Sequence, residues 1–162
     1  MKSVRKGWWM AMCVTLLGVL PAAAADKAIN LSLFTPVSLA KPDDSVSAFR
    51  FNLIYGKNTS VGVVDVGFVN HTTTSSNGLM WGAVNYTEGT VNGLQVAPIN
   101  INKGTTKGVQ FASVNYAENG GGLQLAVVNY ARKLDGVQIG VINIIKEGGM
   151  FPIMVIANWT KK

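Results

Sequence analysis

The sequence predicts an all-β fold, a β-solenoid of about seven coils, on three observations. First, an asparagine returns along the chain at a nearly constant spacing of fourteen or fifteen positions, which is the expected length of one coil. Second, β-branched and aromatic residues fill each interval between clusters of glycine, threonine, asparagine and lysine, which is the composition of short strands. Third, the apolar residues do not follow the i, i+3, i+4 spacing of an amphipathic helix.

The repeated unit has the form Gly-Leu/Val-Gln-apolar-Ala/Gly-x-Val/Ile-Asn. Its asparagines are Asn70, Asn85, Asn100, Asn115, Asn129, Asn143 and Asn158. Its glutamines are Gln95, Gln110, Gln124 and Gln138. In a solenoid the same residue of each coil stacks on itself, and stacked amide side chains hydrogen-bond along the axis. We therefore predict two structural ladders, one of asparagine and one of glutamine.

The start of each unit alternates between apolar and polar residues, as in Leu123-Gln124-Leu125. Apolar side chains usually face the core, so this alternation predicts Leu123 and Leu125 inside and Gln124 outside. The small residue of each unit, such as Ala97 or Gly140, is expected at a bend. The glutamines and aromatic residues would then form the contact surface for a partner.

An antiparallel β-meander or small β-barrel is the alternative, because a unit of this length also matches a membrane-spanning strand of about 9–11 residues. Parallel stacking is favoured because it alone aligns the repeated asparagines, and because both faces of each unit are largely apolar. The chain also ends in Trp159-Thr160-Lys161-Lys162 without a terminal aromatic residue. The residues that directly follow an asparagine could still form the aromatic girdle of a barrel, and they are Tyr86, Tyr116, Tyr130 and Trp159.

Residues 1–25 have the pattern of a signal peptide. Lys2 and Arg5 precede an apolar run from Trp8 to Leu20, and a run of alanines precedes Asp26. This order predicts export and cleavage near Asp26, and the apolar run is too short to span a membrane.

Residues 26–162 are expected to form a single β-repeat domain with three parts. Lead-in strands fall within 29–57, the repeats within 63–147 and a cap within 150–159. The cap is predicted from Gly148-Gly149 and Pro152, because a solenoid must blunt the unpaired strand edges at its ends.

The charge and cysteine content exclude several classes of function. Residues 26–162 hold 11 Lys and Arg against 8 Asp and Glu, a net charge of +3 without a basic cluster, which argues against a nucleic-acid partner. The only cysteine, Cys13, lies in the predicted signal peptide, so the remaining chain has no disulfide or thiolate site. No segment after position 25 has the continuous apolar run that a transmembrane helix requires.

The sequence offers no catalytic set, and neither an enzyme nor a cofactor is predicted. His71 is the only histidine and is expected in an exposed turn, without a second ligand to complete a zinc site. Asp65 takes the place of glutamine in the first unit and is expected as an outward-facing edge acid, although it could cap the ladder or bind a cation. The remaining acids of the array are expected in solvated turns between units and are Glu88, Glu118, Asp135 and Glu147.

The units resemble those of a bacterial exported surface-repeat family with Gly-Leu/Val-Gln-Ile/Leu-Gly/Ala-x-Val/Ile-Asn repeats. The resemblance extends over Ile29 to Trp159. It includes the lead-in Phe51-Asn52-Leu53-Ile54-Tyr55-Gly56-Lys57-Asn58 and the closing Phe151-Pro152-Ile153. That family has no known activity, so the resemblance implies an exported, surface-associated protein and carries over no catalytic residue.

These observations together predict an exported structural or interaction protein of the bacterial envelope or surface. Its compartment is the periplasm, the outer membrane and cell surface, or the medium. Its partner is expected to be a protein or a surface polymer of unknown identity, and association with a membrane is left open. The alternative function is that of a small outer-membrane β-barrel or a membrane-associated β-sheet protein.

Overall fold

A computed structural model describes residues 26–161, and this part of the chain is an all-β solenoid of about seven stacked parallel coils. The predicted signal peptide, residues 1–25, lies outside the described residues. The strands are β1 (Asp26–Phe34), β2 (Val37–Ser38), β3 (Ser45–Val61), β4 (Val64–Thr87), β5 (Thr90–Val96), β6 (Ile99–Phe111), β7 (Val114–Glu147) and β8 (Ile153–Trp159).

The coils stack in register along a single sheet with the strand order β2-β1-β3-β4-β5-β6-β7-β8. Parallel pairing runs from β1 to β7, and equivalent repeat residues face each other, such as Asn85 with Asn100 and Gln95 with Gln110. The solenoid prediction is confirmed, and the antiparallel meander is wrong for these strands. Within residues 26–161, antiparallel pairing is found near the two ends, where β2 joins β1, where β8 joins β7, and at a bridge between Gly149 and Thr160.

Each coil bends where small residues allow the chain to approach its neighbour. Strand β5 ends at Val96 and β6 begins at Ile99, so the coil turns at Ala97 and Pro98. A second bend lies at the glycine that begins each unit. Gly108 has a φ of 137°, and a Cβ atom there would lie 2.1 Å from the carbonyl oxygen of Gly93. Only glycine fits this combination of backbone angle and close stacking.

The interior of the solenoid is polar at the repeated Asn and Gln positions, although apolar residues such as Met80, Val91 and Ile145 are buried elsewhere in the coils. Every asparagine and glutamine of the two predicted ladders is buried, with Gln124 only 2% exposed. Leu123 and Leu125, on either side of Gln124 in the chain, are only partly covered. The predicted orientation, with these leucines inside and Gln124 outside, is therefore wrong.

The narrowness of the coil explains this reversal. So short a coil encloses little space, and a side chain inside meets its own equivalent about 4.8 Å above and below. Amide groups use that spacing to hydrogen-bond to each other, an interaction that apolar side chains cannot make. In the described chain the clustered buried apolar residues are only Ala131, Leu134 and Ile145, near the C-terminal end.

Strand β8 closes the C-terminal end of the solenoid. It pairs antiparallel with the last coil, placing Asn158 opposite Gln138 and Trp159 opposite Val137. It lies within the segment 150–159 that the sequence indicates as a cap. The reversal of direction ends the parallel stack at this strand.

Candidate functional site: an apolar face over polar ladders

The asparagine ladder runs along the axis as a chain of hydrogen bonds with one direction. Each Nδ2 atom donates to the Oδ1 atom of the next asparagine at 2.9–3.1 Å, from Asn70 through Asn85, Asn100, Asn115 and Asn129 to Asn143. Asn158, on the reversed strand, leaves this chain and donates to the backbone oxygens of Asn143 and Phe151. Six of the seven predicted asparagines therefore form one continuous ladder.

The glutamine ladder has the opposite direction. The Nε2 atom of Gln138 donates to Gln124, that of Gln124 to Gln110, and that of Gln110 to Gln95, at 2.7–2.8 Å. Donors thus point toward the N-terminal end in this ladder and toward the C-terminal end in the asparagine ladder. All four predicted glutamines take part.

The two ladders begin at atoms that have no partner. Within residues 26–161, the buried side-chain atoms without a hydrogen bond are Asn52 Oδ1 and Gln138 Oε1. Asn52 begins the asparagine ladder, because its Nδ2 donates to Asn70 Oδ1 at 2.6 Å and its amide fills the space beside Gly56. Each unpaired oxygen is therefore the first acceptor of its ladder, where no earlier amide supplies a donor.

A buried ion pair replaces the glutamines in the N-terminal coils. Asp65 accepts two hydrogen bonds from the Arg50 guanidinium, at 2.7 and 2.5 Å, and both side chains are inside the coil. The expectation of an outward-facing Asp65 is therefore wrong. Burial raises the pKa of the Asp65 carboxyl, and the adjacent Arg50 charge opposes that rise.

The outer surface of the coils carries the apolar residues that the ladders exclude from the interior. We call this surface the apolar face, and in one coil it consists of Leu94, Val96, Pro98 and Ile99. The equivalent large residues of other coils that are at least about 40% exposed are Ile29, Leu31, Leu33, Phe34, Phe51, Leu53, Ile54, Phe68, Trp81, Phe111, Val114, Val127, Ile139, Val141 and Ile142.

The apolar face of the repeats contains no charged side chain. The segments that form it are 63–70, 78–85, 93–100, 108–115, 122–129 and 136–143. Their single ionisable residue is Asp65, which is buried against Arg50. The charged side chains of the repeats are instead in the remaining part of each coil.

Shallow grooves on the apolar face run across neighbouring coils. One groove of about 650 Å³ extends from Phe111 over Leu125 and Ile139 to Ile156. Another, of about 440 Å³, lies among Phe51, Phe68 and Trp81. Such grooves accommodate apolar chains or side chains and offer few polar groups for orienting a ligand.

Aromatic and charged side chains line the boundary of the apolar face on its Asn side. Tyr116 and Tyr130 stack with ring centroids 5.1 Å apart, and the Lys103 ammonium lies 4.6 Å from the Tyr116 centroid. His71 is not a free turn residue, because it contacts the Tyr55 hydroxyl at 2.6 Å and Glu88 at 2.8 Å. No local pattern around His71 indicates these two partners, since they come from neighbouring coils.

Glu118, Asp135 and Glu147 lie within strand β7, so the prediction that they lie in turns is wrong. Two of these acids form an ion network around Arg132. Its guanidinium contacts Glu118, and also Glu147 at 2.9 Å. Hydrogen bonds from Tyr116 and Arg132 lower the pKa of the Glu118 carboxyl, and the Arg132 hydrogen bond lowers the pKa of Glu147. Among residues 26–161, no group of three or more His, Asp or Glu side chains is arranged to hold a metal ion.

Comparisons with known proteins yield no match among family models, curated proteins or solved structures. The resemblance to the surface-repeat family therefore stays a prediction. Across the described residues, no helix has the length and apolar character required to cross a membrane.

Proposed function

We propose that this chain is an exported, non-catalytic protein of the bacterial envelope that attaches to another surface through its apolar face. The observation that supports this proposal is the separation of the exterior into an uncharged apolar side and a charged side. The glutamine ladder, which the sequence suggested as a contact surface, is buried and cannot serve as one.

The size of the apolar face argues that it has a partner. A large apolar residue that is half exposed presents on the order of 80–100 Å², so the residues of the face present on the order of 1,500 Å² together. The largest apolar patch on a typical soluble monomer is only about 300–600 Å². Leaving the larger area in water is unfavourable by roughly 25 cal/mol per Å² relative to covering it.

The ladders supply the rigidity that such a surface requires. Each coil is fixed to its neighbours by backbone pairing and by interior amide hydrogen bonds, so the exposed side chains are held in regular rows. A structural or interaction role needs this pre-organised surface, because ordering a flexible one on contact costs entropy. We assign no catalytic residue, since the two grooves described on the apolar face are lined by no ionisable side chain.

Cell fractionation tests the proposal with two matched pairs of substitutions. Trp81→Glu with Phe111→Glu places charge on the apolar face, at residues that are 58% and 55% exposed. Thr74→Glu with Asn92→Glu adds the same charge at exposed residues on the opposite side. We expect the first double variant to move from the envelope fraction to the soluble fraction and the second to stay with the envelope.

Circular dichroism of both purified variants verifies that the β-structure is retained. Mass spectrometry of the protein from the same fractions determines whether residues 1–25 are removed. An envelope fraction unchanged by Trp81→Glu with Phe111→Glu, or a chain retained in the cytoplasm, would contradict the proposed function.

A further inference from the structure

We propose that the surface bound by the apolar face is a lipid layer, into which the solenoid partly sinks with its axis parallel to the membrane plane. This inference rests on the proposed function, because it identifies the partner of the same face. Four features of the described residues support it.

The backbone of the apolar face is already satisfied without water. The strands beneath it pair in parallel with the coils above and below, as β5 does with β4 and β6. Hydrocarbon accepts a protein surface only when its N–H and C=O groups are paired within the protein. The stacked coils from β3 to β7 meet this condition over most of the face, which is about 35 Å long for seven coils.

The composition of the face suits lipid better than a protein partner. A protein interface carries about one hydrogen bond per 100–200 Å², and so needs polar groups among its apolar residues. Ser113 is the exception among the outward residues of the central coils, which are otherwise apolar, as in Trp81, Leu94 and Phe111. An acyl-chain layer has no such requirement and rejects charge, which this face lacks.

The boundary of the face carries the residues that favour the region of lipid headgroups. Tyr86, Tyr116 and Tyr130 are half-buried and come directly after ladder asparagines, one or two coils apart. The exposed Lys103 lies beyond them, over the Tyr116 ring. Tyrosine is enriched at membrane–water interfaces, and lysine there extends its ammonium group into the aqueous side.

The shape of the face argues against a second copy of the chain as its partner. The outward residues lie on both sides of the bend at Ala97 and Pro98, with Val96 before it and Ile99 after it. A rigid copy of the chain would have to match both sides of the bend and the grooves along it at once. Lipid chains conform to such a surface, and interfacial apolar residues reach a depth of about 5–10 Å.

Tryptophan fluorescence provides the direct test, because Trp81 lies on the face and can be made the only tryptophan. W8F, W9F and W159F remove the other three, whether or not residues 1–25 are cleaved. The chain purified from its cellular fraction is mixed with vesicles of phosphatidylethanolamine and phosphatidylglycerol. We expect it to float with the vesicles, and we expect the Trp81 emission to move to shorter wavelength.

Brominated lipids and salt determine the mode of binding. Bromine near the headgroup end of the acyl chain should quench Trp81 more strongly than bromine near the methyl end, because interfacial apolar residues reach only about 5–10 Å into the layer. Binding should persist at about 0.5 M salt, because salt screens charge interactions and leaves apolar contact intact. Phe111→Glu should lower the partition coefficient about tenfold or more, and Asn92→Glu should leave it within about twofold.

The outcomes separate this inference from the proposed function. One outcome is that the chain fails to float with vesicles while the double variant Trp81→Glu with Phe111→Glu is still released from the envelope. That result refutes lipid as the partner and leaves attachment to a protein or polymer. A dimer that shields Trp81 from acrylamide and stays off the vesicles refutes lipid in favour of a second copy. If neither Trp81→Glu nor Phe111→Glu releases the chain from the envelope, the proposed function itself is refuted.

Discussion

Replacing one amide of the asparagine ladder by leucine should destabilise the fold by an amount that depends on the position in the ladder. Asn129 donates to Asn143 Oδ1 and to the Ile139 carbonyl, each at 2.9 Å, and accepts from Asn115 Nδ2 at 3.0 Å. Asn143 donates to the carbonyls of Gly140 and Met154 and accepts from Asn129. Asn129→Leu and Asn143→Leu thus each remove three hydrogen bonds.

The two variants differ in what they leave behind. Asn129→Leu deprives the buried Asn143 Oδ1 of its only donor among the described residues. Asn143→Leu leaves no side-chain amide of the ladder without a partner. It removes the acceptor Asn143 Oδ1 itself, and Asn129 Nδ2 still donates to the Ile139 carbonyl. Three lost hydrogen bonds cost about 3 kcal/mol, and a buried acceptor without a donor costs about 1–3 kcal/mol more. We therefore expect losses of about 5 kcal/mol for Asn129→Leu and about 3 kcal/mol for Asn143→Leu.

Urea unfolding followed by circular dichroism measures both free energies of unfolding. Val127→Leu, at an exposed residue of the same coil, is the control for the added leucine and should change stability by less than about 0.5 kcal/mol. A loss for Asn143→Leu equal to or greater than that for Asn129→Leu would refute the directional ladder. A loss below about 1 kcal/mol for Asn129→Leu would refute the structural importance of the ladder altogether.

Three further predictions concern the buried pair, the stacked glycines and the ion network. Arg50→Met should cost about 3–5 kcal/mol at neutral pH by leaving Asp65 buried and unpaired. The pKa of Asp65 is already raised by burial and rises further without Arg50, so thermal unfolding should show this cost shrinking as the pH falls and the carboxyl is protonated. Gly108→Ala, which meets the Gly93 carbonyl at 2.1 Å, should lower the urea midpoint more than Gly148→Ala, whose Cβ meets nothing within 4 Å. Both glycines have a positive φ, so both variants carry backbone strain and the difference reports the clash. Arg132 lowers the pKa of the Glu147 carboxyl in the folded state, so ionised Glu147 stabilises the fold above its unfolded pKa, and this contribution is lost as the pH falls. Arg132→Ala removes the contribution, so the free energy of unfolding of this variant should fall less between neutral and acidic pH.

The period of the sequence was sufficient to predict the coil. A nearly constant spacing aligns equivalent side chains only when neighbouring coils run parallel, and the register of Asn100 with Asn115 has this form. The places of asparagine and glutamine followed from the same argument. Periodicity therefore predicted the fold class and identified the residues that the interior brings together.

The direction in which the side chains point could not be obtained from alternation. The two-residue alternation of a strand indicates that Leu123 and Gln124 lie on opposite sides, but it does not indicate which side faces the interior. The usual preference for apolar residues inside led to the wrong choice at this position, although buried apolar residues such as Val91 and Ile145 occur at other positions of the coils. In this narrow coil, the stacking of identical amides at one strand spacing outweighs that preference.

The ends of the ladders could not be predicted from the repeat alone. Asn52 occupies space that a side chain at Gly56, four residues later, would need, so its role depends on that glycine. Asp65 matched the glutamine position, and its partner Arg50 lies in register one coil earlier, in the lead-in that the repeat motif does not cover. The repeat motif therefore indicates neither contact, and both become visible only when the coils are stacked.

The opposite directions of the two ladders have a consequence for how such a protein can change in length. Each asparagine of the ladder donates to the next coil toward the C-terminal end and accepts from the previous coil. Each glutamine of its ladder has the opposite arrangement, donating toward the N-terminal end. A duplicated coil placed between Asn100 and Asn115 would therefore join both ladders without turning any neighbour. A partial coil would break both. Gene duplication can accordingly lengthen the solenoid in whole coils, and the ends, with Asn52 and β8, need not change when it does.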